Sequence, residues 1–163
     1  MISRLQPTEF NSILNVINDA AEAYRGVIPE DQWREPYMLT EELKRELESG
    51  IDFYGWVEDD ALVAVMGIQR VKDVTLIRHA YVLTSHQRSG IGEKLLKYLL
   101  GIALTSVVLV GTWEAAYWAL RFYEKHGFKL MSREETNNLL RKYWTITERQ
   151  IETSVVLELK KGT

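Results

Sequence analysis

The chain has 163 residues, of which 20 are Lys or Arg and 23 are Asp or Glu, so the formal net charge is −3. This length predicts a single domain over residues 1–163, and the composition is that of an ordinary globular protein. The chain contains no cysteine, which excludes disulfides, thiolate metal sites and a cysteine nucleophile.

The first part of the chain predicts one short strand and two helices. Residues 2–5 are expected to form the strand, and Thr8 is expected to be the N-cap of a helix with apolar residues at helical spacing. Residues 26–38 contain two of the three prolines and predict an irregular loop. A second helix is expected to begin at Thr40 and to end at Ser49-Gly50.

The middle of the chain predicts three strands and a helix. Residues 53–58 and 61–69 have the pattern of a hairpin, because Asp59-Asp60 between them is typical of a turn. Residues 74–83 predict a third strand. An amphipathic helix is then expected over residues 90–104.

The remaining elements alternate between strands and helices. The first three are a buried strand at 106–112, a helix at 115–126 that ends at Gly127, and a strand at 128–131. A helix at 133–143 and a strand at 152–159 follow. Together the elements predict the α/β fold class, with a mixed sheet that carries helices on its faces. The consecutive hairpin strands argue against a doubly wound parallel sheet.

The segment most informative about chemistry is residues 87–92, with the sequence QRSGIG. It lies between a predicted strand and a predicted helix, and its glycines allow backbone N–H groups to approach an anion closely. The first N–H groups of a helix lack internal partners and carry the positive end of the dipole. Arg88 adds a positive charge. The segment therefore predicts a phosphate site, although a plain glycine turn that starts a helix fits the same letters.

A second segment makes the pattern specific. Residues 122–128, at the end of the predicted 115–126 helix, have the sequence FYEKHGF. With both segments in this order, the chain resembles the GNAT N-acetyltransferase superfamily, in which a Q/R-x-x-G-x-G/A loop binds the acetyl-CoA pyrophosphate and a phrase like FYEKxGF follows. The resemblance is strong over residues 74–131, and the other elements fit the family's order.

The resemblance implies a fold, a reaction and a cosubstrate. The fold is a mixed, mostly antiparallel central sheet flanked by helices. The reaction transfers an acetyl group from acetyl-CoA to an amine by direct attack within a ternary complex. A protein N-terminus, a lysine side chain, a polyamine and a small amine all remain open as acceptors. A non-catalytic acyl-CoA-binding or regulatory module on the same fold is the alternative.

The resemblance also implies which residues bind the cosubstrate. The backbone of the predicted 74–83 strand pairs with the pantetheine arm, like a peptide strand added to a sheet edge; the residues concerned are Ala80, Tyr81 and Val82. The loop and helix start surround the pyrophosphate with Arg88, Ser89, Gly90, Ile91, Gly92 and Glu93.

Two residues are expected to move protons. The resemblance implies that Tyr123 is the general acid for the departing thiolate, although a tyrosine at this position also suits packing. Glu114 follows the buried strand and is the best-placed carboxylate to accept the amine proton, with charge compensation at a helix start as its alternative. His79 is a further candidate base, with a hydrogen-bonded sheet histidine as the favoured alternative. The family often has asparagine where this chain has Ala116.

Other residues receive weaker assignments. Trp33 and Tyr37 are the better candidates for an acceptor pocket, because their loop follows the first helix. The charged run at 41–46 is expected to be a solvated helix face. The three histidines are not spaced as a metal site, and no metal, nucleic-acid or membrane partner is expected. A cytoplasmic location is the default expectation, and a homodimer through the C-terminal strands is left open.

Overall fold

A computed structural model describes residues 1–162, which form six α-helices and one seven-stranded sheet with strand order β1-β2-β3-β4-β5-β7-β6. The strands are β1 Ile2–Arg4, β2 Asp52–Glu58, β3 Ala61–Val71, β4 Val74–Val82, β5 Val107–Trp113, β6 Lys129–Leu130 and β7 Ser154–Lys160. The helices are α1 Phe10–Ala20, α2 Thr40–Glu48, α3 Ile91–Ile102, α4 Tyr117–Lys125, α5 Arg133–Tyr143 and α6 Glu148–Thr153. The predicted mixed sheet flanked by helices is confirmed.

The residues pack as two compact units, and the first contains Met1–Ala23, Arg34–Gln69 and Ile77–Ala103. Its core is built by the apolar stripe of α1, by Leu43 of α2 and by Phe53 of β2. Both Leu43 and Phe53 are at most 2% exposed. Removing such side chains from water is the main favourable term in folding.

The predicted hairpin of the first unit is confirmed. Strands β2 and β3 pair antiparallel, with Glu58 opposite Ala61. The turn residues Asp59 and Asp60 have φ values of 49° and 61°. Two positive φ values match the right-handed twist of the flanking strands, and aspartate tolerates this conformation better than most residues.

The second unit contains Tyr24–Trp33, Arg70–Leu76 and the described residues from 104 onward. Strand β7 pairs antiparallel with β5, from Val107 opposite Lys160 to Trp113 opposite Ser154. It pairs with β6 on its other side. The core of this unit packs α5 and α6 against the strands; its buried members include Leu76, Leu109, Leu140, Tyr143, Ile151 and Val156.

Two local predictions are wrong. Thr8 is not an N-cap: residues Pro7–Glu9 form a 3₁₀ turn and α1 begins at Phe10. The Glu9 carboxylate accepts a hydrogen bond from the Gln6 N–H at 2.6 Å, which stabilises this entry. Helix α6 is the second: the sequence pattern predicts no helix there and includes Glu152 and Thr153 in the last strand. Its N-cap Thr147 accepts a hydrogen bond from the Gln150 N–H at 3.1 Å.

Gly101 offers a test of the fold alone. It lies in α3, and an added Cβ meets no atom within 4 Å. Gly101→Ala is expected to stabilise the protein by about 0.5–1 kcal/mol, because alanine loses less backbone entropy in a helix. Thermal unfolding measures the effect, and a lower Tm than that of the wild type would contradict it.

Candidate active site

The loop that follows β4 is held to the first unit by polar contacts. The Leu83 N–H donates to the Val63 carbonyl at 2.9 Å. The Thr84 N–H donates to the Asp19 carboxylate at 2.8 Å, and Gln87 Nε2 donates to the Val82 carbonyl at 3.3 Å. The loop therefore has a defined path from the end of the strand to the start of α3.

His86 organises the centre of this loop. Its Nδ1 lies 2.7 Å from Ser85 Oγ, and its Nε2 lies 3.5 Å from the Glu58 carboxylate. Ser89 Oγ donates to the His86 carbonyl at 2.5 Å. Ser85, which precedes the predicted phosphate segment, and Ser89, which lies within it, thus both bond to His86.

The start of α3 has the geometry of an anion site. Arg88 and Gly90 have φ values of 63° and 81°. Gly90 is the N-cap and brings no capping side chain, and the first helical bond is from the Lys94 N–H to the Gly90 carbonyl at 3.1 Å. The N–H groups of residues 91–93 therefore precede the helical pattern. An added Cβ at Gly90 meets no atom within 4 Å, so the approach to these groups is open.

The nine residues predicted to bind the cosubstrate form one continuous part of the first unit. Ala80, Tyr81 and Val82 are the half-buried last residues of β4. Tyr81 packs against the core of that unit. Arg88 and Ser89 are exposed in the loop, while Ile91 is buried beneath the helix start. The structure brings this group together as a strand end, a loop and a helix N-terminus.

Glu114 lies in the second unit, in the turn between β5 and α4. Its N–H donates to the Thr153 carbonyl at 2.8 Å, and the Ala116 N–H donates to the Trp113 carbonyl at 3.0 Å. The Glu114 side chain is 61% exposed and its carboxylate lies 3.3 Å from Arg133 Nη2. The turn therefore presents a carboxylate to solvent, and Ala116 is fully buried beneath it.

Tyr123 is only 4% exposed and lies in the last turn of α4. The end of the helix is closed by a Schellman motif, in which the Phe128 N–H donates to the Tyr123 carbonyl and the Gly127 N–H donates to the Glu124 carbonyl, both at 3.1 Å. Gly127 has the required positive φ, 92°. The FYEKHGF phrase thus has a structural basis as a helix stop.

The same motif fixes the tyrosine ring. The ring centroids of Tyr123 and Phe128 are 5.5 Å apart, which is the apolar contact that accompanies a Schellman cap. Burial raises the pKa of the Tyr123 phenol, because the phenolate is poorly solvated inside the protein. The side chain therefore stays protonated at every ordinary pH, as a proton donor must be.

The two pocket candidates from the sequence fall in different units. Tyr37 packs against the core of the first unit. Trp33 belongs to the second unit, where the Arg25 guanidinium lies 5.0 Å from the ring centroid. Tyr24, which no spacing pattern indicated, lies within 6.4 Å of Trp113 and 6.1 Å of Trp118, measured between ring centroids.

The segment Tyr24–Trp33 is tied to α6 by an ion pair. Arg149 donates from Nε and Nη2 to the two carboxylate oxygens of Asp31, at 2.9 and 3.0 Å. These hydrogen bonds lower the pKa of Asp31 from 3.8 to about 2. Because the folded pKa lies below the ordinary value, the pair stabilises the fold at higher pH, and this contribution is lost as the pH falls through about 2.

This pair gives a prediction for titration. The Asp31 carboxyl signal is expected to titrate with a midpoint near 2, and Arg149→Gln is expected to return the midpoint toward 3.8. Carbon-detected NMR across the acid range measures both. A wild-type midpoint that Arg149→Gln leaves unchanged would show that the ion pair does not form in solution.

Within residues 1–162 no group of three or more His, Asp and Glu side chains is placed to hold a metal ion. In the same range no helix is both long and apolar enough to cross a membrane.

Comparison with known proteins identifies the family of the chain. The sequence matches the family described as acetyltransferase (GNAT) domain over residues 17–142. A search of curated protein sequences finds no significant match. Because the match covers well over half of the chain, the protein belongs to the GNAT acetyltransferase family.

Solved structures show the same fold. The PaiA N-acetyltransferase of Thermoplasma acidophilum, in complex with coenzyme A, is 19% identical and has a TM-score of 0.74, with 98% of each chain covered. The ribosomal-protein-S18-alanine N-acetyltransferase of Escherichia coli is 18% identical with a TM-score of 0.68, covering 100% of this chain and 94% of that one. The N-acetylglutamate synthase of Neisseria gonorrhoeae, with coenzyme A and N-acetyl-glutamate, is 17% identical with a TM-score of 0.67, and only 35% of it is covered.

Proposed function

We propose that this chain is an N-acetyltransferase that moves an acetyl group from acetyl-CoA to an amine, with residues 1–163 acting as one functional domain. The observation that carries the proposal is the open start of α3, where Gly90 leaves backbone N–H groups accessible to an anion. Two of the three similar structures named above are described as complexes with coenzyme A. Membership of the acetyltransferase family supplies the reaction class.

Residues 88–93 bind the pyrophosphate in this proposal. The positive dipole end of α3 and its first N–H groups act on the phosphate oxygens, and Arg88 adds a charge from an exposed position. Ala80, Tyr81 and Val82 offer strand backbone groups to the amides of the pantetheine arm. Since most of these contacts come from the backbone, buried Ala116 can stand where the family often has asparagine.

Acetyl-CoA supplies an activated acyl carbon, and two side chains accept and donate the protons of the reaction. Glu114, exposed on its turn, accepts the proton of the amine directly or through water. The backbone N–H near Val82 stabilises the negative charge that develops on the thioester oxygen. Tyr123 donates its proton to the departing thiolate, so that the amide and the free thiol are the products. Because burial raises the pKa of the phenol, the proton stays on Tyr123 until a basic thiolate forms beside it.

The shared fold does not determine which amine accepts the acetyl group. The similar structures include a ribosomal-protein-S18-alanine N-acetyltransferase and an N-acetylglutamate synthase, whose names describe different products. Fold likeness at this identity therefore leaves the acceptor class to the particular side chains of this chain.

Calorimetric titration with acetyl-CoA, followed by thiol release across a panel of amines, tests the proposal. We expect binding and release with at least one amine. Binding without release on any amine would favour the acyl-CoA-binding module. Absence of binding would overturn the assignment of the cosubstrate.

A further inference from the structure

Two consecutive residues of β4 reach the same carboxylate. The Glu46 Oε1 of α2 lies 3.4 Å from Arg78 Nη2 and 3.2 Å from His79 Nε2. All three side chains are at least three-quarters buried, with exposed fractions of 23%, 18% and 14% respectively. Neighbouring side chains of a regular strand point to opposite faces, so β4 departs from regular geometry here.

The departure lies in the backbone of His79, whose φ is 52°. A left-handed residue inside a strand turns its side chain away from the alternating pattern, and this backbone conformation is unfavourable for a residue with a side chain. It persists only where its surroundings hold it. Such outliers are a reason to look for a function at that point.

The surroundings of His79 fit that requirement. Its ring lies on Phe53, with centroids 5.9 Å apart and an interplanar angle of 27°. Arg78 Nη1 donates to Gln69 Oε1 at 3.2 Å. On β3, an added Cβ at Gly67 would lie only 2.9 Å from the Arg78 carbonyl, so a glycine is needed where the carbonyl comes close.

The charges of the cluster are arranged around Glu46. Burial alone would raise the pKa of Glu46, but the hydrogen bond from His79 and the electrostatic effects of His79, Arg78 and Arg45 outweigh it and lower the pKa. Burial lowers the pKa of Arg78, and the charge of Glu46 opposes that effect. The carboxylate thus holds two basic side chains together on one face.

We propose that Glu46 is a positioning residue: it holds Arg78 and His79 on one face of β4 and so fixes the left-handed turn directly before Ala80, Tyr81 and Val82. If His79 reverted to the extended conformation, the residues that follow would exchange faces, as in a one-residue register shift. The backbone that receives the pantetheine arm would then be misdirected. This inference rests on the proposed function.

The first experiment changes the charge and keeps the shape. Glu46→Gln is expected to raise the Kd for acetyl-CoA about tenfold, since the charge-assisted bonds to both basic side chains are lost. The matched control is Glu48→Gln on the same helix, where the carboxylate is exposed; its Kd is expected to equal that of the wild type. Calorimetry measures the Kd, and circular dichroism verifies that each variant is folded.

The second experiment separates positioning from proton transfer. His79→Asn and His79→Val both remove the imidazole, but asparagine tolerates a left-handed backbone and valine does not. We expect His79→Asn to stay within about threefold of wild-type Kd, and His79→Val to exceed tenfold. We also expect the pH profile of kcat in His79→Asn to keep its wild-type shape.

Three results would overturn the inference: wild-type Kd in folded Glu46→Gln, equal Kd values in His79→Asn and His79→Val, or loss of a limb of the pH profile in His79→Asn. If His79→Val does not fold, the other two variants still decide the matter. Failure of the wild-type protein to bind acetyl-CoA would instead overturn the proposed function, and the two failures are therefore distinguishable.

Discussion

Gly90→Val is expected to raise the Kd for acetyl-CoA about a hundredfold, equivalent to roughly 3 kcal/mol. Gly90 has a φ of 81°, which a β-branched residue adopts only with strain. The new side chain would also stand in the open space beside the first N–H groups of α3. Calorimetric titration of the variant with acetyl-CoA measures the change.

Gly50→Val is the control that distinguishes the effect of backbone strain from the loss of acetyl-CoA binding. Gly50 also has a positive φ, 100°, and an added Cβ at this position meets no atom within 4 Å. It stands after the end of α2 and has no assigned ligand. Gly50→Val is therefore expected to lose stability and to bind acetyl-CoA as the wild type does. Equal Kd values for Gly90→Val and Gly50→Val would show that the start of α3 is not the anion site.

Tyr123→Phe is expected to lower kcat by about 10²–10³-fold, the range of a lost general acid. The Kd for acetyl-CoA is expected to stay within about twofold, because the ring and its contacts with Phe122 and Phe128 are retained. Thiol release under saturating acetyl-CoA and amine measures kcat. An unchanged kcat in Tyr123→Phe would show that Tyr123 contributes only to packing.

Tyr143→Phe is the matched control for this loss. Tyr143 is also a tyrosine of the second unit, 8% exposed, and its hydroxyl donates to the Asp73 carboxylate at 2.7 Å. Removing that bond is expected to lower the free energy of unfolding and to leave kcat unchanged. If both variants lost kcat equally, the effect would come from packing of the second unit.

Much of the fold is predictable from local patterns. The hairpin at Asp59-Asp60, the buried strand β5 and the stop at Gly127 all follow from residues that are close in sequence. The start of α1 is not predictable in this way, because the Pro7–Glu9 turn competes with a threonine cap. Helix α6 is short and adjoins a strand, so its pattern merges with that of β7.

The candidate site is also only partly predictable from the sequence. The loop at 87–92 is visible in the sequence because strand, glycine and helix start are contiguous. The partnership of Glu46 with His79 is not visible, since it joins residues from α2 and β4 that no spacing rule connects. The charged run at 41–46 predicts a solvated helix face, and that prediction is wrong for Glu42 and Glu46, whose side chains are each only 23% exposed.

Strand β7 has a consequence for biosynthesis. It lies between β5 and β6, although both precede it in the chain. While the ribosome extends the chain, β5 and β6 emerge before the strand that separates them. Until then β5 has an unsatisfied edge of apolar residues, a recognised hazard for aggregation. We therefore expect the second unit to complete its sheet only after β7 has emerged, and nascent chains that end before β7 to depend on chaperones.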